Sequence, residues 1–131
     1  MTKKESVIKA LEELGHKPKE DEDGDLFIRY QMKRIFPIVG DANEQYLRLI
    51  MPQFVNVTEG EEHVALAICN KLTRELKFAK VYVEQTLKNV SACCEFYYTD
   101  EASMKNSIEK ALAVLGMARK AYRDTFDEFT N

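Results

Sequence analysis

Two stretches, one near the start and one near the middle of the chain, carry apolar residues three and four positions apart, the spacing of an amphipathic helix. The first is predicted to run from about Lys3 to Leu14. Thr2 and Glu5 precede its apolar residues with the spacing of a capping box, in which each side chain bonds the other residue's backbone N–H. Thr58 and Glu61 repeat this spacing and therefore predict the start of a second helix.

A third apolar stripe predicts a long final helix, from Glu101 to about Glu128, with Asp100 as its cap. It would span roughly 42 Å at 1.5 Å per residue, whereas strands of ~6–7 residues reach only about 20–23 Å. Gly116 is a weak point in its interior, because glycine costs ~1 kcal/mol relative to alanine there. The aromatic residues beyond Gly116 need a surface to cover them, either the first helix or a second subunit. They are Tyr122, Phe126 and Phe129.

Between the helices the apolar residues alternate with polar ones, which is typical of strands. These runs cover residues 26–32, 35–39, 46–51, 78–83 and 90–98, with a turn expected at Lys33-Arg34. Pro37 is expected at a sheet edge or a bulge, because it cannot donate a ladder hydrogen bond. Residues 16–25 are polar and are predicted to form a loop.

The element order is therefore α-β-β-β-α-β-β-α. This order predicts an α+β fold in which a five-stranded antiparallel sheet carries helices mainly on one face. A chain of 131 residues is too short for two ordinary domains, so we expect a single domain over residues 1–131.

The alternation also divides the strand residues between the two faces of the sheet. The face turned away from the helices would carry aromatic residues and arginines, although a solvated face usually alternates to polar residues. Aromatic residues with arginine are enriched at protein interfaces, but single exposed aromatics are common on any surface. The sequence leaves both interpretations open, and a register error of one residue would exchange the faces. The predicted contact residues are Phe27, Tyr46, Ile50, Phe78, Tyr82 and Tyr97 on the sheet, with Tyr122 and Phe126 on the last helix.

The residues that most often carry catalysis or metal binding are few and poorly spaced. Cys93 and Cys94 are neighbours on a predicted strand and point to opposite faces, so we expect no disulfide between them. Cys69 has no CxxC partner, and His16 and His63 do not have the spacing of zinc ligands. We therefore expect no catalytic residue, no metal and no cofactor, and a protein that is not an enzyme.

The acidic stretch from Glu20 to Asp25 invites comparison with a calcium-binding loop. An EF-hand loop has glycine at its sixth position, which would put Lys19 first and Tyr30 twelfth if Gly24 is that glycine. Both end positions require carboxylates, so we predict a solvated turn instead.

The charge balance excludes a general nucleic-acid binder. The chain has 19 Lys+Arg and 22 Asp+Glu, a formal net charge of −3, whereas a general nucleic-acid binder needs a basic excess to displace counterions from the phosphate backbone. Residues 77–83 interleave basic and aromatic side chains but lack the glycine of an RNA-recognition strand. No apolar run approaches the ~20 residues of a membrane span, and Glu5 and Glu12 interrupt a leader-like segment. We expect a cytoplasmic protein that binds neither nucleic acid nor membrane.

The element order and the acidic chain resemble the type III secretion chaperone-like fold, and more specifically the YbjN-like family of candidate bacterial sensory-transduction regulators. The best local stretch is the end of a helix at residues 67–72 that runs into an alternating strand at residues 76–83. Secretion chaperones act as homodimers that hold a partner polypeptide extended. The resemblance thus implies a non-enzymatic protein-binding module, chaperone-like or a regulatory adaptor, that forms a homodimer.

The alternative hypothesis is a regulatory module that senses a small ligand. An enclosed apolar pocket would favour the ligand, whereas an open aromatic groove or a free sheet edge would favour a polypeptide partner.

Overall fold

The protein has three helices and six strands, seen in a computed structural model that describes all residues from Met1 to Asn131. The helices are α1 (Lys3–Glu13), α2 (Glu62–Glu75) and α3 (Glu101–Thr130). The strands are β1 (Lys19–Glu20), β2 (Leu26–Tyr30), β3 (Lys33–Ile38), β4 (Tyr46–Asn56), β5 (Ala79–Val83) and β6 (Asn89–Tyr97). They form one antiparallel sheet in the order β1-β2-β3-β4-β6-β5. The predicted α+β class and antiparallel sheet are confirmed.

The predicted number of strands was wrong, because the polar segment before β2 contributes a sixth strand. Lys19 and Glu20 pair with Phe27 and Leu26 of β2. A strand of two polar residues has no alternation by which it could be recognised. The rest of this segment is a turn in which the Asp21 carboxylate accepts the backbone N–H groups of residues 23 and 25.

Two of the three predicted helix caps are present. The capping box at Thr2 begins α1, and the Asp100 side chain caps α3. The capping box predicted at Thr58 is wrong. The α2 helix begins at Glu62, and its N-cap residue, Glu61, makes no side-chain capping hydrogen bond. The carbonyl of Thr58 instead accepts the N–H of Glu61 in a turn.

All three helices lie on the same face of the sheet and enclose a core of 27 buried residues. The apolar stripes of the helices meet the inward side chains of the strands, such as Ile28, Ile35 and Leu49, which are at most 1% exposed. The other face of the sheet carries no helix. None of the three helices combines the length and the apolar composition required to cross a bilayer.

The hairpin between β2 and β3 turns at Gln31-Met32, two residues before the predicted turn. Both turn residues have positive φ, 52° and 67°, as in the two-residue turns that match the twist of a hairpin. Pro37 lies beyond the last β2–β3 pair, Ile28 with Ile35, and faces Leu49 of β4. The missing N–H of Pro37 therefore interrupts no ladder with β2.

The α3 helix continues through Gly116 without a break. A Cβ atom at Gly116 would lie 2.7 Å from Cε1 of Tyr30 and 3.1 Å from Nε2 of Gln31. The missing side chain thus allows the long helix to cross close over the β2–β3 hairpin.

Candidate functional site

The sheet face opposite the helices, here called the outer face, carries an apolar band across four strands. The band consists of Phe27, Phe36, Ile50 and Cys93. Phe36 lies opposite Ile50, and Ile50 lies opposite Cys93. The ring of Phe27 is centred 5.8 Å from that of Phe36. Phe27 and Cys93 are buried among their neighbours, whereas Phe36 and Ile50 are half-buried, so the band presents apolar surface to the exterior.

Charged side chains flank the apolar band, and most of them are cations. The guanidinium of Arg34 lies 4.4 Å from the ring centroid of Phe27. Alternation with buried neighbours places Arg29, Arg48 and Lys80 on the same face, with Glu95 as the carboxylate among them. Four cations thus accompany one carboxylate, although the whole chain has a net charge of −3. The outer face is therefore electropositive relative to the rest of the protein.

Glu95 joins three strands of the outer face. Its carboxylate accepts hydrogen bonds from the ammonium of Lys80 on β5 and from the hydroxyl of Tyr46 on β4. The bond from Lys80, followed by that from Tyr46, lowers the pKa of Glu95. The same carboxylate raises the pKa of Tyr46 to about 12. These bonds hold the Tyr46 and Lys80 side chains in place on the face.

Arg48 lies opposite Glu95 in the β4–β6 ladder. Its Nε atom is buried and has no hydrogen-bond partner within the chain. Because this atom is closed to a water molecule, an acceptor from outside the chain does not reach it.

Five of the eight predicted contact residues belong to the outer face. Tyr46 and Tyr97 form a pair with ring centroids 5.2 Å apart, and Tyr97 is 75% exposed. Tyr82 is half-buried near Cys93, and burial raises the pKa of its hydroxyl. The remaining two, Phe27 and Ile50, belong to the apolar band.

Phe78 does not lie where the alternation predicted. Its φ of 75° is in the left-handed region, immediately before β5 begins. Its ring is 5.6 Å from that of Phe96, which belongs to the core on the helix side of the sheet. The positive φ therefore breaks the alternation on which the prediction depended.

Two of the three aromatic residues at the end of α3 are covered within the chain, and β4 rather than the expected first helix contacts Tyr122. Tyr122 is 5% exposed and meets Phe54 of β4 edge-on, with ring centroids 6.3 Å apart. Phe126 also packs against the core. Phe129 is 47% exposed, and Lys71 of α2 lies 5.8 Å from its ring centroid. Tyr122 is thus buried and Phe126 half-buried on the helix side of the sheet, away from the outer face.

Sequence reasoning missed three outer-face residues, Phe36, Ile38 and Cys93. Pro37 obscured the alternation of β3, but it is itself buried, so its two neighbours point outward. Ile38 is 44% exposed. A strand assignment that accepted Pro37 as an inward residue would have found both.

The edges of the sheet offer little unpaired backbone. At one edge, β1 has only two residues. At the other edge, the hydroxyl of Thr73 accepts the N–H of Val81 at 2.9 Å and donates to its carbonyl at 3.0 Å. Short or covered edges resist the addition of another strand, so a partner is better accommodated on the outer face.

All three cysteine thiols are buried. Burial raises the pKa of Cys69 and of Cys94 to about 12, and it also raises the pKa of Cys93. A thiol is nucleophilic only as the thiolate, so these groups are poor nucleophiles near neutral pH. Carboxylate oxygens of Asp21, Asp23 and Asp25 lie within 4.8 Å of one another in the exposed turn before β2.

Comparison with known proteins gives the fold. No protein-family model matches the chain, and no curated protein matches its sequence. Among solved structures it is similar to YbjN from E. coli, a candidate transcription regulator, with a TM-score of 0.66 and 10% identity over 88% of this chain and 90% of that chain. It is also similar to an uncharacterized protein from Methanothermobacter thermautotrophicus, with a TM-score of 0.59 and 14% identity over 98% of this chain and 99% of that chain. This chain therefore has a YbjN-like fold.

Proposed function

We propose that this protein is a non-enzymatic regulatory or adaptor module that binds an acidic polypeptide segment across its outer face. The observation that carries this proposal is the apolar band on a sheet face without helices, flanked by four cations and one carboxylate. Aromatic and arginine side chains contribute most of the binding energy at many protein interfaces.

The dimensions of the band suit an extended segment. Four neighbouring strands spaced about 4.8 Å apart present a width of roughly 15 Å, which about five extended residues can span. A segment bound in this way would place alternate side chains against Phe36 and Ile50. This resembles the chaperone-like mode, in which the partner remains extended.

The charges favour an acidic partner. Carboxylates of the segment would meet Arg29, Arg34 and Lys80. Such complementarity increases the association rate at low salt and disfavours basic partners.

Homodimerisation stays a prediction. Tyr122 and Phe126 pack within the chain, so the outer face is the predicted interface between the two copies. Stacking this face on its copy would oppose like charges. We expect self-association to strengthen with added salt and binding of an acidic segment to weaken with it. Sedimentation equilibrium at low and high salt separates the two behaviours.

The proposal can be tested with fluorescein-labelled twelve-residue peptides that alternate leucine with glutamate or leucine with lysine. The outer-face variant combines Ile38→Glu with Tyr97→Glu, two exposed positions. The control combines Leu66→Glu with Met117→Glu, which are 51% and 52% exposed on α2 and α3. Both variants add the same charge at exposed apolar positions, so they differ only in which surface carries the new carboxylates.

In fluorescence anisotropy, we expect the glutamate peptide to bind the wild type and the control alike, and the outer-face variant about tenfold more weakly. The lysine peptide should bind far more weakly to all three proteins. Equal binding by the two variants, or equal binding of the two peptides, would contradict the proposal.

A further inference from the structure

A half-open cavity of about 460 Å³ lies on the helix side of the sheet, away from the outer face. It is enclosed by the last residues of β4, the first turn of α2 and the second half of α3. Its apolar wall includes the side chains of Phe54, Tyr122 and Phe126. The volume is within the range of about 300–1,000 Å³ that is usual for small-molecule sites.

The charged residues around this cavity are mostly cations. Lys33, Arg119 and Arg123 line it, together with the single carboxylate of Glu61. None of the three cations takes part in the ion pairs or side-chain hydrogen bonds of the chain. Acidic side chains outnumber basic ones over the whole sequence, so this excess of positive charge is local. Arg119 and Arg123 are exposed and Lys33 is half-buried, so their charged groups are free to bind an anion at the mouth of the cavity.

The beginning of α2 brings free backbone N–H groups to the cavity wall, next to the carboxylates of Glu61 and Glu62. Glu61 and Ala65 place the first turn of this helix in the cavity wall. No side chain caps the helix at Glu61, so N–H groups of its first turn lack an intrahelical or capping partner. Such a helix end attracts anions through its N–H groups and its dipole.

We propose that this cavity binds an organic anion that has an apolar body and a carboxylate or phosphate head. The head would lie among the guanidinium groups of Arg119 and Arg123 and the first turn of α2. The apolar body would contact Phe54, Tyr122 and Phe126. The bound ligand would contact β4, α2 and α3 at the same time, and it would undergo no chemical reaction.

The proposal is tested by displacement of the fluorescent anion 8-anilinonaphthalene-1-sulfonate from the full chain. The competitors are octanoate, octyl phosphate and octanol, which share a tail and differ in their head groups. The cavity variant combines Arg119→Gln with Arg123→Gln, both exposed positions. The control combines Lys17→Gln with Lys110→Gln, which removes the same charge at exposed positions outside the cavity. Circular dichroism melts confirm that each variant is folded.

We expect saturable binding at one site, displaced by octyl phosphate or octanoate but not by octanol. The tighter of these two competitors identifies the head group as phosphate or carboxylate. The affinity should fall about tenfold in the cavity variant and change less than about twofold in the control. The proposal is overturned if the cavity variant binds like the wild type, if no competitor displaces the fluorophore, or if octanol competes equally well. The outer-face variant should bind normally, so this result is independent of the polypeptide-binding proposal.

Discussion

At the scale of single residues, Gly116 sets the distance between α3 and the β2–β3 hairpin. Alanine at this position would improve the helix propensity by ~1 kcal/mol. Its Cβ atom, however, would lie 2.7 Å from the ring of Tyr30, which packs against the core. Overpacking of this kind costs about 1–3 kcal/mol.

We therefore expect Gly116→Ala to lower the free energy of unfolding by about 1 kcal/mol in urea denaturation. In a Tyr30→Ala background the obstructing ring is absent, so the same substitution should be neutral or stabilising there. A stabilising effect of Gly116→Ala in the wild type would show that the ring moves away without cost.

Glu95 makes the stability depend on pH in a defined direction. Its bonds from Lys80 and Tyr46 lower its pKa in the folded state. The associated stabilisation is therefore present above the ordinary carboxyl pKa and is lost as the pH falls through the lowered value. We expect Glu95→Gln to reduce the free energy of unfolding more at about pH 7 than at about pH 3. Urea denaturation across this range provides the measurement. Glu109→Gln, at an exposed carboxylate without an ion pair, is the control and should show no such difference.

At the scale of elements, the helix starts differ in how they are capped. The Asp100 carboxylate accepts the N–H of Ser103 at 2.8 Å at the start of α3, whereas Thr58 makes no side-chain bond at the start of α2. Asp100→Ala should thus lower the free energy of unfolding by ~1 kcal/mol, and Thr58→Ala by less than about 0.5 kcal/mol. Thermal melts of both variants test the difference. Equal losses would mean that Thr58 caps α2 in solution.

The elements also show why one part of the sheet was predicted and another was not. Alternation in β4 and β6 is long enough to assign both faces of the sheet, and the register confirms that assignment. Phe78 breaks the pattern through a positive φ, and β1 is too short to have a pattern. Both features involve contacts outside the segment itself, since Phe78 packs against Phe96 of β6 and Lys19 pairs with Phe27 of β2.

At the scale of the whole molecule, the end of α3 and the outer face differ in how deeply their apolar residues are buried. Phe126 packs against the core, whereas Ile38 and Tyr97 are exposed on the outer face. We expect Phe126→Asp to destabilise the monomer by about 2–4 kcal/mol, because it buries a carboxylate and removes an aromatic contact.

The outer-face variant should instead melt within a few degrees of the wild type. Calorimetry and sedimentation equilibrium on both proteins separate folding from association. If Phe126→Asp melts like the wild type but loses a dimer, the end of α3 is an intermolecular contact after all.

The sequence by itself determined the type of every element except β1, the antiparallel α+β class, the caps of α1 and α3 and most of the outer face. These features depend on spacing within one element, where side-chain direction follows from the helical or strand repeat. Only the tertiary structure decided what covers Tyr122 and Phe126, why Gly116 is needed, and that Lys33, Arg119 and Arg123 meet at one cavity. Those outcomes depend on how elements far apart in the chain pack together. The helical or strand repeat within one element carries no information about that packing.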